Sequence, residues 1–458
     1  MSFETLLIAN RGDIALGIIE ACRELKIRSV AVHSEADADM PYLRLADASV
    51  CIGPPPPAKS YLNIAAIISA AELTGADAIH PGYGFLAESP HFVEVCASHG
   101  IQFIGPPLPA MALACDKMKA RDTVASAGVP VLPGAFLPDD PESLKRKADE
   151  IGYPLLIKAV YGGGGRGMRY VPSPSELEQA AQAATKEAKG AFGDGSLYLE
   201  RAIPSPRHIE VQILADPDGR IIHLGERECS VQRRHQKLIE EAPAPFIDED
   251  LREEVYEAAI AAAAAVGYRN AGTVEFIVDS ESRFFFIEMN ARIQVEHAVT
   301  EAVTGVNLLK EQIRIASGEG IGFSYAGING HAIECRIYAE DPDRDFLPST
   351  GRIKIVELPG GNGIRLDTAI YNGMEVSPFY DPLIAKLIAW GRDREEARIR
   401  MITALERFRI EGVKTTRDLN LTLITQPDFR SGEITTDFVE RVLNGGRSGQ
   451  GGVPSDAP

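Results

Sequence analysis

The period of the apolar positions changes along the chain, and those changes divide it. Thr5 to Ala9 is a short apolar run, after which Ile14, Ile18, Ile19, Cys22 and Leu25 recur at helical spacing. Ser29 to His33 reads as a strand, Ile64 to Leu73 as a helix, and Ala76 to His80 as a strand that stops at Pro81-Gly82. Phe92 to Ser98 is helical and Ile101 to Ile104 is again a strand. Such alternation predicts a parallel, doubly wound sheet, with Pro54 to Pro57 as a turn inside it.

After a break at Gly105-Pro106-Pro107, Asp116 to Ala127 is helical and Pro130 to Pro141 reads as a linker. Leu155 to Ala159 and Arg169 to Val171 are strands on either side of a glycine run. Ser175 to Lys189 is a helix with Ser175 as its expected N-cap, and Leu197 to Arg201 is a further strand. Together they predict a small α+β insert. From His208 the pattern turns to hairpins. Ile209 to Leu214 and Arg220 to Leu224 flank the turn Asp216-Pro217-Asp218-Gly219, and Gly272 to Val278 faces Arg283 to Met289. Glu253 to Val266 is an Ala-rich helix between the hairpins, and strands and helices mix up to about Leu443. Gly445 to Pro458 has the composition of a disordered tail. The expected fold class is α/β and α+β.

Composition adds limits. At 458 residues, 45% hydrophobic and 24% charged, the chain has room for about three globular domains. No apolar stretch reaches the ~18 residues of a membrane helix. The acidic start, Met1-Ser2-Phe3-Glu4-Thr5, is no secretory signal, so the expected location is cytoplasmic. A net charge of −18 argues against nucleic acid and against an anionic membrane as main partner. Cys22, Cys51, Cys96, Cys115, Cys229 and Cys335 show no C-x-x-C spacing, so neither a zinc site nor a disulfide framework is expected. Cys229 stands out because its neighbours are polar.

Three stretches carry chemistry. Gly162-Gly163-Gly164-Gly165-Arg166-Gly167 frees backbone N–H groups to converge on phosphate, with Lys158 just before it. Strands on both sides disqualify a dinucleotide fingerprint, and no Lys-Ser/Thr follows to make a Walker loop. A phosphate-covering lid is the expectation. In the second hairpin, Glu288, Asn290 and Arg292 share one strand face, and Glu275 interrupts an apolar strand. Two carboxylates in such strands need compensation, which a hard divalent cation supplies. Between Glu226 and Lys237, the residues Arg233, Arg234, His235 and Lys237 concentrate positive charge in an acidic chain, which predicts a local anion site.

Taken together, Gly162–Met168, Glu226–Pro245 and Glu288–Glu301 strongly resemble biotin carboxylases of the ATP-grasp superfamily. The run Glu288-Met289-Asn290-Ala291-Arg292-Ile293-Gln294-Val295-Glu296-His297 is the most specific part. The likeness covers residues 3–443. It implies an N-terminal Rossmann-like domain (1–115), a connecting helix (116–129), a mobile lid (130–203), an ATP-grasp core with C-terminal domain (204–444) and a disordered tail (445–458). It also implies ATP bound by Lys117, Lys158, Gly163, Gly164, Gly165, Gly167, Glu200, Arg201, Ile203, His208, Gln232 and His235. Mg²⁺ or Mn²⁺ would be held by Glu275, Glu288 and Asn290. Bicarbonate would bind Lys237, Arg292, Gln294 and Val295. Glu296 would be the general base, with Arg292, Lys237 and Arg336 as further catalytic groups, Arg336 stabilising the biotin enolate.

The implied reaction is ATP-dependent carboxylation of biotin by bicarbonate through carboxyphosphate. No lysine between two methionines is present for biotin attachment. The expected partners are therefore a biotin carboxyl carrier protein and a carboxyltransferase subunit, with acetyl-CoA as the default final acceptor. A homodimer is implied too, although Gly17, Glu20 and Asn362 depart from the family pattern at that surface. Tyr161, Arg201, Ala291 and Ala298 are further departures. Ala298, where proline is usual, is expected to loosen the loop that holds Glu296. The competing readings are an ATP-grasp ligase acting on an amine and a non-catalytic nucleotide-binding subunit. The joint presence of Lys237, Glu275, Glu288, Arg292 and Glu296 speaks against the second.

Overall fold

The structure is a computed structural model, and it describes residues 3–448 apart from 139, 161–167, 193–194 and 325. Five parallel strands come first, in the order Ala48–Cys51, Arg28–His33, Thr5–Ile8, Ala78–His80, Gln102–Phe103. The central strand is buried on both faces, which explains its unbroken apolar run. Strand order reverses beside it, where doubly wound sheets usually take a ligand. Here protein fills that crevice. Asn10 Nδ2 donates to the carbonyls of Pro81 (2.6 Å) and Tyr83 (2.7 Å). Arg11 pairs with Asp37 at 2.7 Å, and Tyr380, from far along the chain, lies with its ring centroid 4.2 Å from the guanidinium.

A four-stranded antiparallel sheet, Gly134–Phe136, Leu197–Arg201, Leu155–Ala159, Arg169–Val171, forms the insert with helices Pro141–Ile151 and Leu177–Phe192. It has its own apolar core, built from Leu144, Ile151, Leu155, Ile157, Val171 and Leu199 among others. The largest sheet has eight antiparallel strands, in the order Phe284–Asn290, Asn270–Val278, Arg207–Ala215, Ile221–Arg233, Gln236–Ala242, His331–Tyr338, Leu383–Gly391, Ile364–Thr368. Helix Glu249–Val266 packs on one face, where Tyr256 reaches Glu226. Helix His297–Thr304 lies on the other, where Thr300 accepts from Arg227 at 3.0 Å. Adjacent residues Glu226 and Arg227 thus serve opposite faces, as strand alternation requires.

Several expectations need correction. Pro130 to Pro141 is no mere linker, because Gly134–Phe136 pairs with Leu197–Arg201. Helix Leu108–Cys115 starts directly after Pro107, its N-cap, and helix Pro141–Ile151 starts on Pro141, although both prolines read as breaks; at a helix start the N–H that proline lacks would be unpaired anyway. Asp140 caps the second of these by accepting from Ser143 N at 2.8 Å. Ser175 does not cap its helix; it sits in a short turn and its hydroxyl meets Ser173. Glu226 to Lys237 lies almost wholly in two strands. Strand Ile221–Arg233 and strand Gln236–Ala242 join through Arg234 and His235, both at positive φ (48° and 68°), a two-residue hairpin of the kind that matches strand twist. Helix Phe438–Ser448 runs into the segment expected to be tail. Among the described residues no helix is long and apolar enough to cross a membrane.

Candidate active site

One row of charged side chains crosses four strands in register. Glu288 faces Glu275, Glu275 faces Glu210, and Glu210 faces Arg227. Residues paired in this way share a face. Glu210 and Arg227 are new to the site. Both are fully buried, they pair with each other, and Arg227 also donates to Gln212 (2.8 Å) and Thr273 (3.1 Å). A glutamate alternating with Ile209, Val211 and Ile213 reads from sequence as a solvent-facing position, so spacing gave no signal for it.

Lys237 enters this row from the neighbouring strand. Its Nζ lies 2.7 Å from Glu210 Oε2, 2.6 Å from Glu296 Oε1 and 3.4 Å from Glu275 Oε1. Glu296 Oε2 accepts from Arg336 Nη2 at 2.9 Å. Burial alone would raise the Glu296 carboxyl, but Lys237, Arg336 and Arg227 overcome it and hold Glu296 well below the usual carboxylate range. Fully buried Glu296 is therefore ionised, with a cation on each oxygen. Ala298 is buried in the first turn of helix His297–Thr304, packed with Val299, Val303 and Ala242. His297 turns to the Gln294 carbonyl (2.9 Å) and makes no base pair with Glu296.

Glu275 is the hub of the other half. Its Oε1 accepts from Asn290 (2.7 Å) and Gln294 (2.9 Å), and its Oε2 meets His208 Nε2 at 2.7 Å. Against the cost of burial, Lys237 and His208 hold its pKa far down. Glu288 is lowered chiefly by Lys117, 2.9 Å away on the first turn of helix Lys117–Ser126. Glu275 and Glu288 stand directly opposite one another, with Asn290 on the same strand, and Lys117, His208 and Lys237 offset their charge; these oxygen ligands fit a hard divalent metal. His208, Glu210 and Glu275 also converge, with ligand atoms all within 4.8 Å. Each of those is bound to a protein partner.

Arg292 fans out beside Glu275. Nη1 donates to Gln294 Oε1 (2.9 Å), Nη2 to Asn290 Oδ1 (3.1 Å) and Nε to Glu88 Oε2 (2.9 Å), a residue from the N-terminal sheet domain. The Val295 carbonyl accepts from Lys386 at 3.0 Å. Gln232 lies against His208 (3.4 Å). His235 is lowered by burial and by nearby Lys158 and His208.

The structure thus joins Lys237, Glu275, Asn290, Arg292, Gln294, Glu296, Arg336, His208 and Gln232 in one network, with Lys117–Glu288 at its edge. Lys158 and Glu200 form a separate buried pair in the insert. Arg201 turns its side chain to the Ile151 carbonyl (3.2 Å), and Ile203 is half-buried. Gly163, Gly164, Gly165, Gly167 and Tyr161 lie outside the described residues. The side chains of the basic run divide. Arg233 lies over Phe346 at 3.7 Å and pairs with Glu340 at 3.7 Å, Arg234 pairs with Asp345 at 3.0 Å, and Lys237 reaches Glu210, Glu275 and Glu296. Cys229 is buried 4.0 Å from Glu296, and burial pushes its thiol far up.

Comparison with known proteins finds relatives over nearly the whole chain. Family models described as "Biotin carboxylase, N-terminal domain", "Carbamoyl-phosphate synthase L chain, ATP binding domain" and "Biotin carboxylase C-terminal domain" match residues 2–111, 116–322 and 334–441. The biotin carboxylase of Pseudomonas aeruginosa is 52% identical over 444 residues, covering 96% of this chain and 98% of that protein. A pyruvate carboxylase subunit from Methanothermobacter thermautotrophicus is 51% identical over 97% of this chain and 91% of its own length. The biotin carboxylase domain dimer of 2-oxoglutarate carboxylase from Hydrogenobacter thermophilus, solved with MgADP, ADP and bicarbonate, superposes with a TM-score of 0.94 at 46% identity, covering 97% of this chain and 98% of that one. The chain belongs to the biotin carboxylase family, ATP-dependent ligases with the ATP-grasp fold.

Proposed function

We propose that the chain uses ATP to activate bicarbonate as carboxyphosphate and delivers the carboxyl group to biotin on a separate carrier protein. The observation that carries this reading is Glu296, buried and ionised between Lys237 and Arg336, beside the Arg292–Gln294 arm. Bicarbonate is a poor nucleophile, and an ionised carboxylate can take its proton as an oxygen attacks the γ-phosphate of ATP. Lys237 and Arg292 neutralise charge there, and Gln294 with the Val295 backbone orients the bicarbonate. Carboxyphosphate then releases CO₂ and phosphate. The phosphate deprotonates biotin, Arg336 stabilises the enolate, and the biotin nitrogen attacks CO₂.

For the nucleotide, Lys117, Lys158, His208, Gln232 and His235 line the phosphate and ribose side, and Glu200 with the backbone of Arg201 and Ile203 takes adenine. Gly163, Gly164, Gly165 and Gly167 cover the phosphates in this reading. Glu275, Glu288 and Asn290 would hold Mg²⁺ or Mn²⁺, whose chemistry is to neutralise phosphate charge. The insert with its own core serves as the lid that keeps water from a labile intermediate.

The partners proposed are a biotin carboxyl carrier protein, a second copy of the chain, in line with the solved dimer, and a carboxyltransferase subunit. A cytoplasmic location is proposed, where ATP and bicarbonate are at hand. The final acceptor belongs to the transferase partner. Acetyl-CoA is proposed, with pyruvate and 2-oxoglutarate as alternatives supported by the names of relatives of nearly equal identity. The test is ADP release by the purified chain with Mg²⁺, ATP and bicarbonate. Stimulation by biotin that depends on bicarbonate supports the reading; stimulation by an amine instead would replace it with an amine-directed ligase.

A further inference from the structure

Glu240 and Glu334 face each other in register across strands Gln236–Ala242 and His331–Tyr338, and both are 0% exposed. Among the described residues, none of their carboxyl oxygens accepts a hydrogen bond. Arg336 Nη2 forms an ion pair with Glu240 Oε1 at 2.5 Å, and this contact lowers the Glu240 carboxyl against the effect of burial. The same nitrogen donates to Glu296. The other charged or titratable groups around the pair are Lys237, Lys386, Glu296, Cys229, Cys335, Tyr338 and Tyr83. Lys386 is committed elsewhere, to Asp13 (3.1 Å), Asp367 (3.6 Å) and the Val295 carbonyl.

Two ionised carboxylates directly opposite one another in a dry sheet repel each other and lose their hydration. The facing pair Glu275–Glu288 is relieved by Lys117, His208 and Lys237. Glu240 has Arg336 beside it, already shared with Glu296, while the strongest opposing charge at Glu334 is Lys386, itself paired with Asp13 and Asp367. A proton is the remaining relief. Burial pushes Glu240 up to about 7 and Glu334 well above the usual range, and Arg336 opposes the rise more directly at Glu240.

We propose that Glu240 and Glu334 hold a single proton between them, seated on Glu334, and that ionised Glu240 is a positioning residue for Arg336. This rests on the reading of Arg336 as the group that stabilises the biotin enolate. When Glu296 takes the proton of bicarbonate, Arg336 loses one of its two counter-charges. Glu240 then keeps the guanidinium in place for the biotin step. The neutral partner, Glu334, adds no second charge to draw Arg336 down into the sheet.

Infrared difference spectra at a pH about two units above 7, where Glu240 is ionised, test the proton without any turnover. Wild type minus Glu334→Gln is expected to show the carbonyl stretch of a protonated acid, and wild type minus Glu240→Gln the bands of a carboxylate. Carboxylate bands in both differences would overturn the proposal, and either variant alone is informative if the other fails to fold. For positioning, Glu240→Gln should lower kcat/KM for biotin about tenfold with the KM for ATP unmoved, and Glu240→Asp should recover part of the loss. An equal loss in both parameters, or none, would overturn that role. A wild-type chain with no biotin-dependent turnover would contradict the proposed function instead, and the infrared result would stand apart from it.

Discussion

Lys237 Nζ lies 2.6 Å from Glu296 Oε1, and Arg336 grips the other oxygen of the same carboxylate. The resting base is thus ionised but occupied, and substrate must take over part of its ion pairing. Glu296→Ala is expected to lower biotin-dependent turnover by about 10²-fold or more while leaving ATP affinity nearly intact. Steady-state kinetics beside nucleotide titration check it, and turnover close to wild type would remove Glu296 from the proton transfer.

Glu288→Gln keeps the size of the side chain and halves the facing carboxylate pair. Mg²⁺-dependent nucleotide binding should weaken, while binding without metal changes little. Calorimetric titration with and without Mg²⁺ reads the difference, and an unchanged metal dependence would break the assignment of Glu275, Glu288 and Asn290.

Asp367 accepts from Arg365 (2.7 Å) and faces Lys386 (3.6 Å). Burial would raise it, but these two cations, Lys386 foremost, bring it down to about 2. A depressed carboxylate stabilises the fold above its unfolded pKa, about 4, and that stability is lost as pH falls toward 2. Asp367→Asn should therefore cost about 2 kcal/mol at pH 7 and much less at pH 3. Urea unfolding at the two pH values measures it; an equal cost at both would contradict the linkage.

Arg227 is fully buried and holds together Glu210, Gln212, Thr273 and Thr300. Arg227→Met leaves Glu210 with Lys237 as its one close cation among the described residues, and breaking a buried pair in this way costs roughly 3–5 kcal/mol. A urea midpoint within error of wild type would show that the row is not needed for folding.

Cys51 is exposed, whereas Cys229 is buried with its thiol pushed far up. A thiol reagent on the native protein should modify Cys51 first and spare Cys229 until unfolding. Early labelling of Cys229, mapped by peptide mass, would contradict the closed site.

The sequence was most readable where one local rule applied. Strand alternation put Glu288 and Asn290 on one face; Arg292, expected on the same face, lies past the strand's end at Asn290, and its guanidinium still reaches Asn290. The βα alternation likewise predicted the parallel sheet, though not its edge strand Ala48–Cys51, whose half-exposed residues carry no apolar run. Residues whose meaning depends on register were hidden. Glu210, Glu240 and Glu334 look like ordinary alternating polar positions until strands from distant segments bring them opposite other charges. Prolines misled at Pro107 and Pro141, because the same residue ends one helix and begins another.

The central claim is that this chain carboxylates biotin, and labelled bicarbonate tests it most directly. Incubation of the purified chain with ATP, Mg²⁺, labelled bicarbonate and biotin should yield acid-labile label on biotin in step with ADP. ADP formed without label on biotin, or label transferred to an amine, would contradict the account.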